Sequence, residues 1–363
     1  MERSRPGAIR GAFGERSSFS LATTSPLGTG CVPIGHQADQ TEPHDSLGVQ
    51  VETRRLGNNG PEISVVGFGA WEAGGDMWGP NQDEGQIIAA MNSGIDAGMN
   101  WIDTAEVYGS GRSEELVGKA VRSRRDEVLI FTKIGPRPAG TGFRGPQVRQ
   151  AIERSLSRLG TDRVDLYQLH WPDPKVPVEE TWQAMAELQD AGLTRSIGVS
   201  NVDRGLIERC LAIRHVDSVQ NRFSLLDQED RAELLPWLEQ RGVGFLAYSP
   251  LAYGLLTGAI TMETEFHEED WRGGRSWNTP SYEQFFAPQV RQRHLRKVEQ
   301  LRAIAERLGT NVAALALRWV VEQRGVTAAI AGSRNPEHTK ANAVAGDLKL
   351  DGGTLDEIDR IFS

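Results

Sequence analysis

The run GTGFRG, residues 140–145, follows the apolar stretch VLIFTK (128–133) and precedes PQVRQAIERSLSRLG (146–160), which has the spacing of an amphipathic helix. G-x-G-x-x-G between a strand and a helix is the spelling of a dinucleotide fingerprint in a doubly wound sheet. Three features overturn that reading. A doubly wound unit needs an acidic residue at the carboxyl end of its second strand, about 20 residues further on. Asp165 has the spacing, yet it opens its strand, DLYQLHW (165–171), and so belongs to the rim opposite the glycines. The fingerprint also opens the first βα unit of its domain, whereas this one is the third, and Pro146 reads as a helix-start proline. The glycines are read instead as a flexible loop over the top of a different sheet.

Outward from that point the pattern repeats. Apolar runs stand at VVGFGA (65–70), MNWIDT (99–104), EVLIFTK (127–133), DLYQLHW, RSIGVSN (195–201), DSVQNRF (217–223), GFLAYSP (244–250) and TAAIAGSR (327–334). Amphipathic segments such as DEGQIIAAMNSGIDAG (83–98), EETWQAMAELQDAG (179–192) and AELLPWLEQRG (232–242) lie between them. Several of these segments stop at a glycine, at Gly98, Gly160, Gly192 and Gly242, where a left-handed residue ends a helix. Strands apolar on both faces call for a parallel sheet covered by helices, and eight βα units close as a (β/α)8 TIM barrel. An open doubly wound sheet is the alternative. An N-terminal β-hairpin, VETRRL (51–56) and EIS (62–64) around Gly57–Gly60, feeds the first barrel strand. Residues 51–363 are assigned to the barrel domain. Residues 1–50, rich in Arg, Ser, Gly and Pro without apolar period, are assigned to a disordered leader. Its arginines suggest a transit segment, against which Glu2 and Glu15 count. The stretch from about 251 to 290 exceeds an ordinary connection and reads as a functional or mobile loop.

The chain carries 40 Lys and Arg against 49 Asp and Glu, a formal charge of −9 that offers no general attraction to phosphate backbones or anionic lipid. Nucleic acid and membrane are therefore not expected partners, and no apolar run reaches the length of a span. Cys31 and Cys210 make no disulfide framework and fit a reducing, cytoplasmic setting. HEED (267–270) reads as a solvated acidic loop, and no metal is expected, because no second His or Cys accompanies it at ligand spacing.

A barrel does its chemistry at the carboxyl rim of its strands. At that rim stand Asp103 and then Tyr108 after the second strand, Lys133 on the third and His170 on the fourth. Ser200 and Asn201 follow on the fifth, Gln220 on the sixth, Tyr248 on the seventh, and Ser333 and Arg334 after the eighth. Singly each has an ordinary reading: Tyr108 a half-buried loop tyrosine, His170 a core histidine, Ser200 and Asn201 caps of the next helix. Together the first four form a proton-transfer set. A phenol of pKa about 10 needs a neighbouring cation to work at neutral pH. Lys133 can supply it, and Asp103 can keep that lysine charged inside the mouth. On this reading Lys133 and Asp103 lower the pKa of Tyr108, while His170 bonds a carbonyl oxygen or shares the proton. No side chain delivers hydride, so a cofactor is implied.

WIDTAEVYG (101–109), FTKIG (131–135), YQLHWPDP (167–174), IGVSN (197–201), VQNRFSLL (219–226), AYSPLAYGLLTG (247–258) and IAGSRNPEHTKAN (330–342) resemble, in order, the aldo-keto reductase superfamily. GGDMWG (74–79) and SPLAYGLLTG are similar to its bacterial inositol-utilisation and general-stress members. The resemblance implies a small-molecule carbonyl substrate, NADP(H) as cofactor with NAD(H) as the alternative, and Asp103, Tyr108, Lys133 and His170 as the catalytic tetrad with Tyr108 the general acid. It implies further that Ser200, Asn201 and Gln220 bond the nicotinamide carboxamide and that Tyr248 stacks on its ring. Ser249, Leu251, Gly254, Leu255 and Thr257 would wrap the pyrophosphate, and Gly332, Ser333, Arg334, His338 and Asn342 would hold the adenosine end. Many members carry Arg and Glu where this chain has His338 and Ala341. Trp78, Trp171 and Trp271, in rim loops, are read as substrate walls. The alternatives are a nicotinamide-binding sensor resembling potassium-channel β-subunits and a polyol dehydrogenase of the inositol type.

Overall fold

A computed structural model describes residues 51–80, 83–135, 143–274 and 280–363. The expected leader and residues 140–142 of the glycine loop lie outside them. The chain opens with an antiparallel hairpin, β1 (Thr53–Arg55) and β2 (Glu62–Ser64). Eight parallel strands follow: β3 (Val66–Gly69), β4 (Trp101–Asp103), β5 (Leu129–Ile134), β6 (Val164–Leu169), β7 (Thr194–Ser200), β8 (Ser218–Arg222), β9 (Gly244–Tyr248) and β10 (Ala328–Gly332). They close on themselves, β10 pairing with both β3 and β9, as a (β/α)8 barrel.

Six helices alternate with the first strands: α1 (Glu84–Asp96), α2 (Arg112–Val121), α3 (Gly145–Leu159), α4 (Val178–Asp190), α5 (Arg204–Leu211) and α6 (Leu234–Glu239). After β9 come α7 (Pro280–Phe285), α8 (Pro288–Arg307) and α9 (Val312–Glu322), and after β10 come α10 (Pro336–Ala343) and α11 (Gly352–Phe362). The local signals act as their chemistry requires. Pro146 sits in the first turn of α3, where its missing N–H has no intrahelical partner, and Gly160 ends that helix at φ +66°. Asp203, not Ser200 or Asn201, caps α5 by accepting from the Leu206 N–H. Asp165 lies at the start of β6, paired with Arg125 at 3.0 Å and Arg195 at 3.1 Å, and has a structural task at the rim away from the carboxyl ends.

The barrel interior is a dry plug. Trp101, Phe131, Leu166, Leu246, Ala328 and Ile330 fill it, and Leu56 and Ile63 of the hairpin belong to the same cluster. Trp101 stacks within 4.9 Å of Phe131 and donates its indole N–H to the Ser64 carbonyl. Successive inward residues on a strand are two apart. The next inward positions after Trp101, Phe131, Leu166 and Leu246 are Asp103, Lys133, Gln168 and Tyr248. The interior therefore changes from apolar to polar within one residue pair, and the polar layer is the floor of the site.

No helix among the described residues is long and apolar enough to cross a membrane. Gly67 of β3 has no room for a side chain, because a Cβ there would come within 2.1 Å of the Trp101 ring. Gly67→Ala is expected to destabilise the barrel by about 1–3 kcal/mol through overpacking, read as a lower midpoint of urea unfolding.

Candidate active site

The floor is a buried ion pair. Lys133 donates to Asp103 Oδ1 at 2.5 Å and to the Thr104 carbonyl at 2.9 Å, with side chains 0% and 4% exposed. The other Asp103 oxygen accepts from Gln220 Nε2 at 2.9 Å and Gln168 Nε2 at 3.3 Å. The two buried charges thus lie against each other, with two amides and a backbone carbonyl as further partners, the condition for tolerating them there. Burial presses the Lys133 pKa below its usual value while Asp103 opposes that shift.

Tyr108 begins the turn after β4, and its ring centre lies 5.2 Å from Lys133 Nζ. Its phenol is not made more acidic. Burial pushes its pKa well above 10, and the Asp103 carboxylate adds to the rise. The expected lowering by Lys133 is not seen: burial is the main cause of the rise, and the carboxylate that pairs with the ammonium adds to it. His170, 5.6 Å from Tyr108 between ring centres, is held neutral, its pKa pressed down to about 3 by burial and then by Lys133. Its Nδ1 lies 2.9 Å from the Gly135 carbonyl, which can only accept. In a neutral ring this places the single proton on Nδ1 and leaves Nε2 an acceptor. Of the two tasks expected of His170, sharing the phenol proton fits this tautomer and donating to a carbonyl oxygen does not.

Above the floor lies a cavity of about 1770 Å³, larger than the ~300–1,000 Å³ of an ordinary small-molecule site. Asp103, Tyr108, His170, Ser200, Asn201, Gln220 and Tyr248 line one end, and Gly332, Ser333, Arg334, His338, Ala341 and Asn342 line the other. The Tyr248 hydroxyl donates to Asn201 Oδ1 at 2.8 Å, and Asn201 Nδ2 reaches the His170 carbonyl at 3.0 Å. Ser200 donates to the Gln220 carbonyl at 2.7 Å. Between the ends runs the loop after β9, from which Ser249, Leu251, Gly254 and Thr257 face the cavity while the Leu255 side chain is fully buried. Ser249, Ala252 and Tyr253 all have positive φ, at 50°, 46° and 57°. Non-glycine residues occupy that region at a cost, and such outliers cluster where a site fixes the backbone.

The three tryptophans part company. Trp171 stands at the mouth, 45% exposed, and Trp78 lines the wall. Trp271 is buried behind that wall, 4.8 Å from Tyr253 and 6.3 Å from Trp78 between ring centres, and does not line the cavity. Asp270 of HEED is likewise not solvated: it is buried, caps the turn at Arg272 and holds that guanidinium through both oxygens, at 3.0 and 2.7 Å. Gln168, Arg222, Tyr253, Arg272, Trp71 and Glu72 were not singled out by sequence. Gln168 and Arg222 lie two residues from His170 and Gln220, so strand alternation could have found them; Glu72 and Tyr253 lie on loops and offer no such signal.

A profile of the Aldo/keto reductase family matches residues 65–362. The aldo-keto reductase YhdN of Bacillus subtilis is 37% identical over 80% of this chain and 87% of its own. The NADH-specific methylglyoxal reductase of Escherichia coli is 30% identical over 81% of this chain and 93% of its own. An aldo-keto reductase of Klebsiella pneumoniae solved in complex with NADPH is 32% identical, with a TM-score of 0.67 over 86% of this chain and 95% of that one. A closed parallel barrel, a polar floor set on an apolar plug and these matches agree: the chain belongs to the aldo/keto reductase family.

Proposed function

We propose that this chain reduces an aldehyde, ketone or sugar carbonyl to the alcohol, using NADP(H) in preference to NAD(H), with Tyr108 as the general acid. The observation that carries this reading is the buried Lys133–Asp103 pair beside the Tyr108 ring, at the floor of a cavity whose volume of about 1770 Å³ leaves room for a dinucleotide and a substrate together. The residues present fit such a cofactor. Ser200, Asn201, Gln220 and Tyr248 would hold the nicotinamide end, the strained loop from Ser249 to Thr257 the pyrophosphate, and Arg334, Ser333, His338 and Asn342 the adenosine end. When bound, the dinucleotide supplies the hydride that the carbonyl carbon accepts.

The chain's own part is the proton. Tyr108, its pKa raised by burial, keeps its proton throughout the neutral range and is a donor at rest. An oxygen gaining charge as its carbon is reduced becomes a stronger base than a phenolate, so transfer from Tyr108 runs downhill. The phenolate left behind faces the Lys133 ammonium, which is fixed beforehand and need not reorganise. Nε2 of His170 accepts from the phenol, or from the alcohol hydroxyl once formed. Trp171 and Trp78 offer apolar walls beside the mouth.

Tyr108→Phe is expected to remove nearly all carbonyl reduction while leaving dinucleotide affinity, followed by fluorescence titration, within about twofold; wild-type turnover in that variant would refute the assignment. Multiple turnovers by the wild type with a carbonyl panel are expected, whereas tight dinucleotide retention with negligible turnover would favour the sensor reading. Reduction should be flat from about pH 5 to 9, because His170 is neutral above its pKa of about 3 and Tyr108 stays protonated. Alcohol oxidation, which must first shed that phenolic proton, should climb with pH across the same range. Lys133→Met should lower unfolding stability by about 3 kcal/mol by leaving Asp103 buried without its cation, and Asp103→Asn in the same chain should recover most of it.

A further inference from the structure

At the far end of the cavity two arginines among the described residues already face carboxylates of the chain itself. Arg334, after β10, lies 3.2 Å through Nε from Glu72 Oε2 and 3.4 Å through Nη1 from the Trp78 carbonyl. Glu72 follows β3, the strand paired with β10, so the two loops leave the barrel side by side. Both side chains line the cavity with His338 and Asn342, and both are about two-thirds or more buried, 33% exposed for Arg334 and 25% for Glu72. Among the described residues, Arg272 of the loop after β9 also lines the cavity and is held by Asp270 through both carboxylate oxygens. The quartet of Glu72, Asp270, Arg272 and Arg334 is formally neutral, although this is the end at which a ribose phosphate would need net positive charge.

We propose that Glu72 is a specificity-determining residue for the dinucleotide: its carboxylate occupies the Arg334 guanidinium as an internal stand-in for the 2′-phosphate. This rests on the dinucleotide reading above. A 2′-phosphate, with close to two negative charges at neutral pH, must draw Arg334 away from Glu72 and then lie near that displaced carboxylate. A ribose with a free 2′-hydroxyl makes no such demand and leaves the pair intact. Glu72 thus weakens NADPH selectively and narrows the gap to NADH. With a free 2′-hydroxyl the same pair goes on tying the loop after β3 to the loop after β10.

The test is a fluorescence titration of NADPH and NADH against the full-length wild type, Glu72→Gln, Arg334→Ala and the double variant. Glu72→Gln keeps the shape of the side chain and should tighten NADPH about fivefold, the scale of a partly exposed ion pair, with NADH unchanged. In the Arg334→Ala background the same substitution should change neither affinity. Equal shifts for both dinucleotides, no shift for NADPH, or a shift that survives without Arg334 would each overturn the proposal. An unchanged NADH affinity shows that the variant is folded. A wild type that binds neither dinucleotide would overturn the underlying reading itself, a result distinct from the other three.

Discussion

The constraint on which the site depends is a lysine and an aspartate kept dry. Nothing in a barrel interior solvates an ammonium, so Lys133 is stable as a cation only with Asp103 and the Thr104 carbonyl against it, and Asp103 only with Lys133 and two glutamine amides. Those partners come from β4, β5, β6 and β8, so the pair forms only when the strands are in register. Below it the apolar plug fixes the height of the floor, because each of Asp103, Lys133 and Gln168 is the inward residue next above a plug side chain. Fold and chemistry are therefore one problem here: a slip of one residue in β5 would aim Lys133 outward and put Thr132 or Ile134 in its place.

That pair has a consequence opposite to the one its residue types suggest. An ammonium near a phenol lowers the phenol's pKa when its charge is unspent. Here the charge is spent on Asp103, and burial dominates, so the resting phenol is less acidic than a free one. For the proton donor proposed above this is an advantage, since it would arrive protonated at neutral pH. The cation matters after transfer, when the phenolate and Lys133 face each other in a medium of low dielectric.

How much of this was legible in the sequence follows from periodicity. The strands, the glycine stops and the hairpin are local signals, and Asp103, Tyr108, Lys133 and His170 could be expected to meet because strand ends in a closed parallel barrel must share one rim. GTGFRG was discounted on the same ground, since Asp165 sits at the wrong end of β6. What sequence did not yield depends on loops whose path no period fixes. Trp271 was placed on the substrate wall, yet a cage of Tyr253, Trp78 and Phe286 draws it inward. Asp270 looked solvated in an acidic run and is instead the partner of Arg272. The direction of the Tyr108 pKa was misjudged for a different reason: residue types state which charges are present, and only geometry states how deeply the phenol is buried and how near the Asp103 carboxylate lies.

The division between strand and loop also separates chemistry from selectivity. Asp103, Lys133 and Gln168 at the floor are fixed by the barrel ladder and the plug, so their positions vary little without loss of the fold. Residues that face the rest of the ligand sit on the loops after β3, β9 and β10, held by ion pairs and strained turns. These include Arg334 on Glu72, Arg272 on Asp270, and the left-handed run at Ala252, Tyr253 and Gly254. The partly exposed Arg334–Glu72 tether is worth little stability and can be exchanged without touching the floor, whereas the buried Arg272–Asp270 pair is costlier to break. A single barrel can therefore keep one proton donor while its loops change what it binds. The place to look for what distinguishes this chain is accordingly its charged loop pairs, not its tetrad.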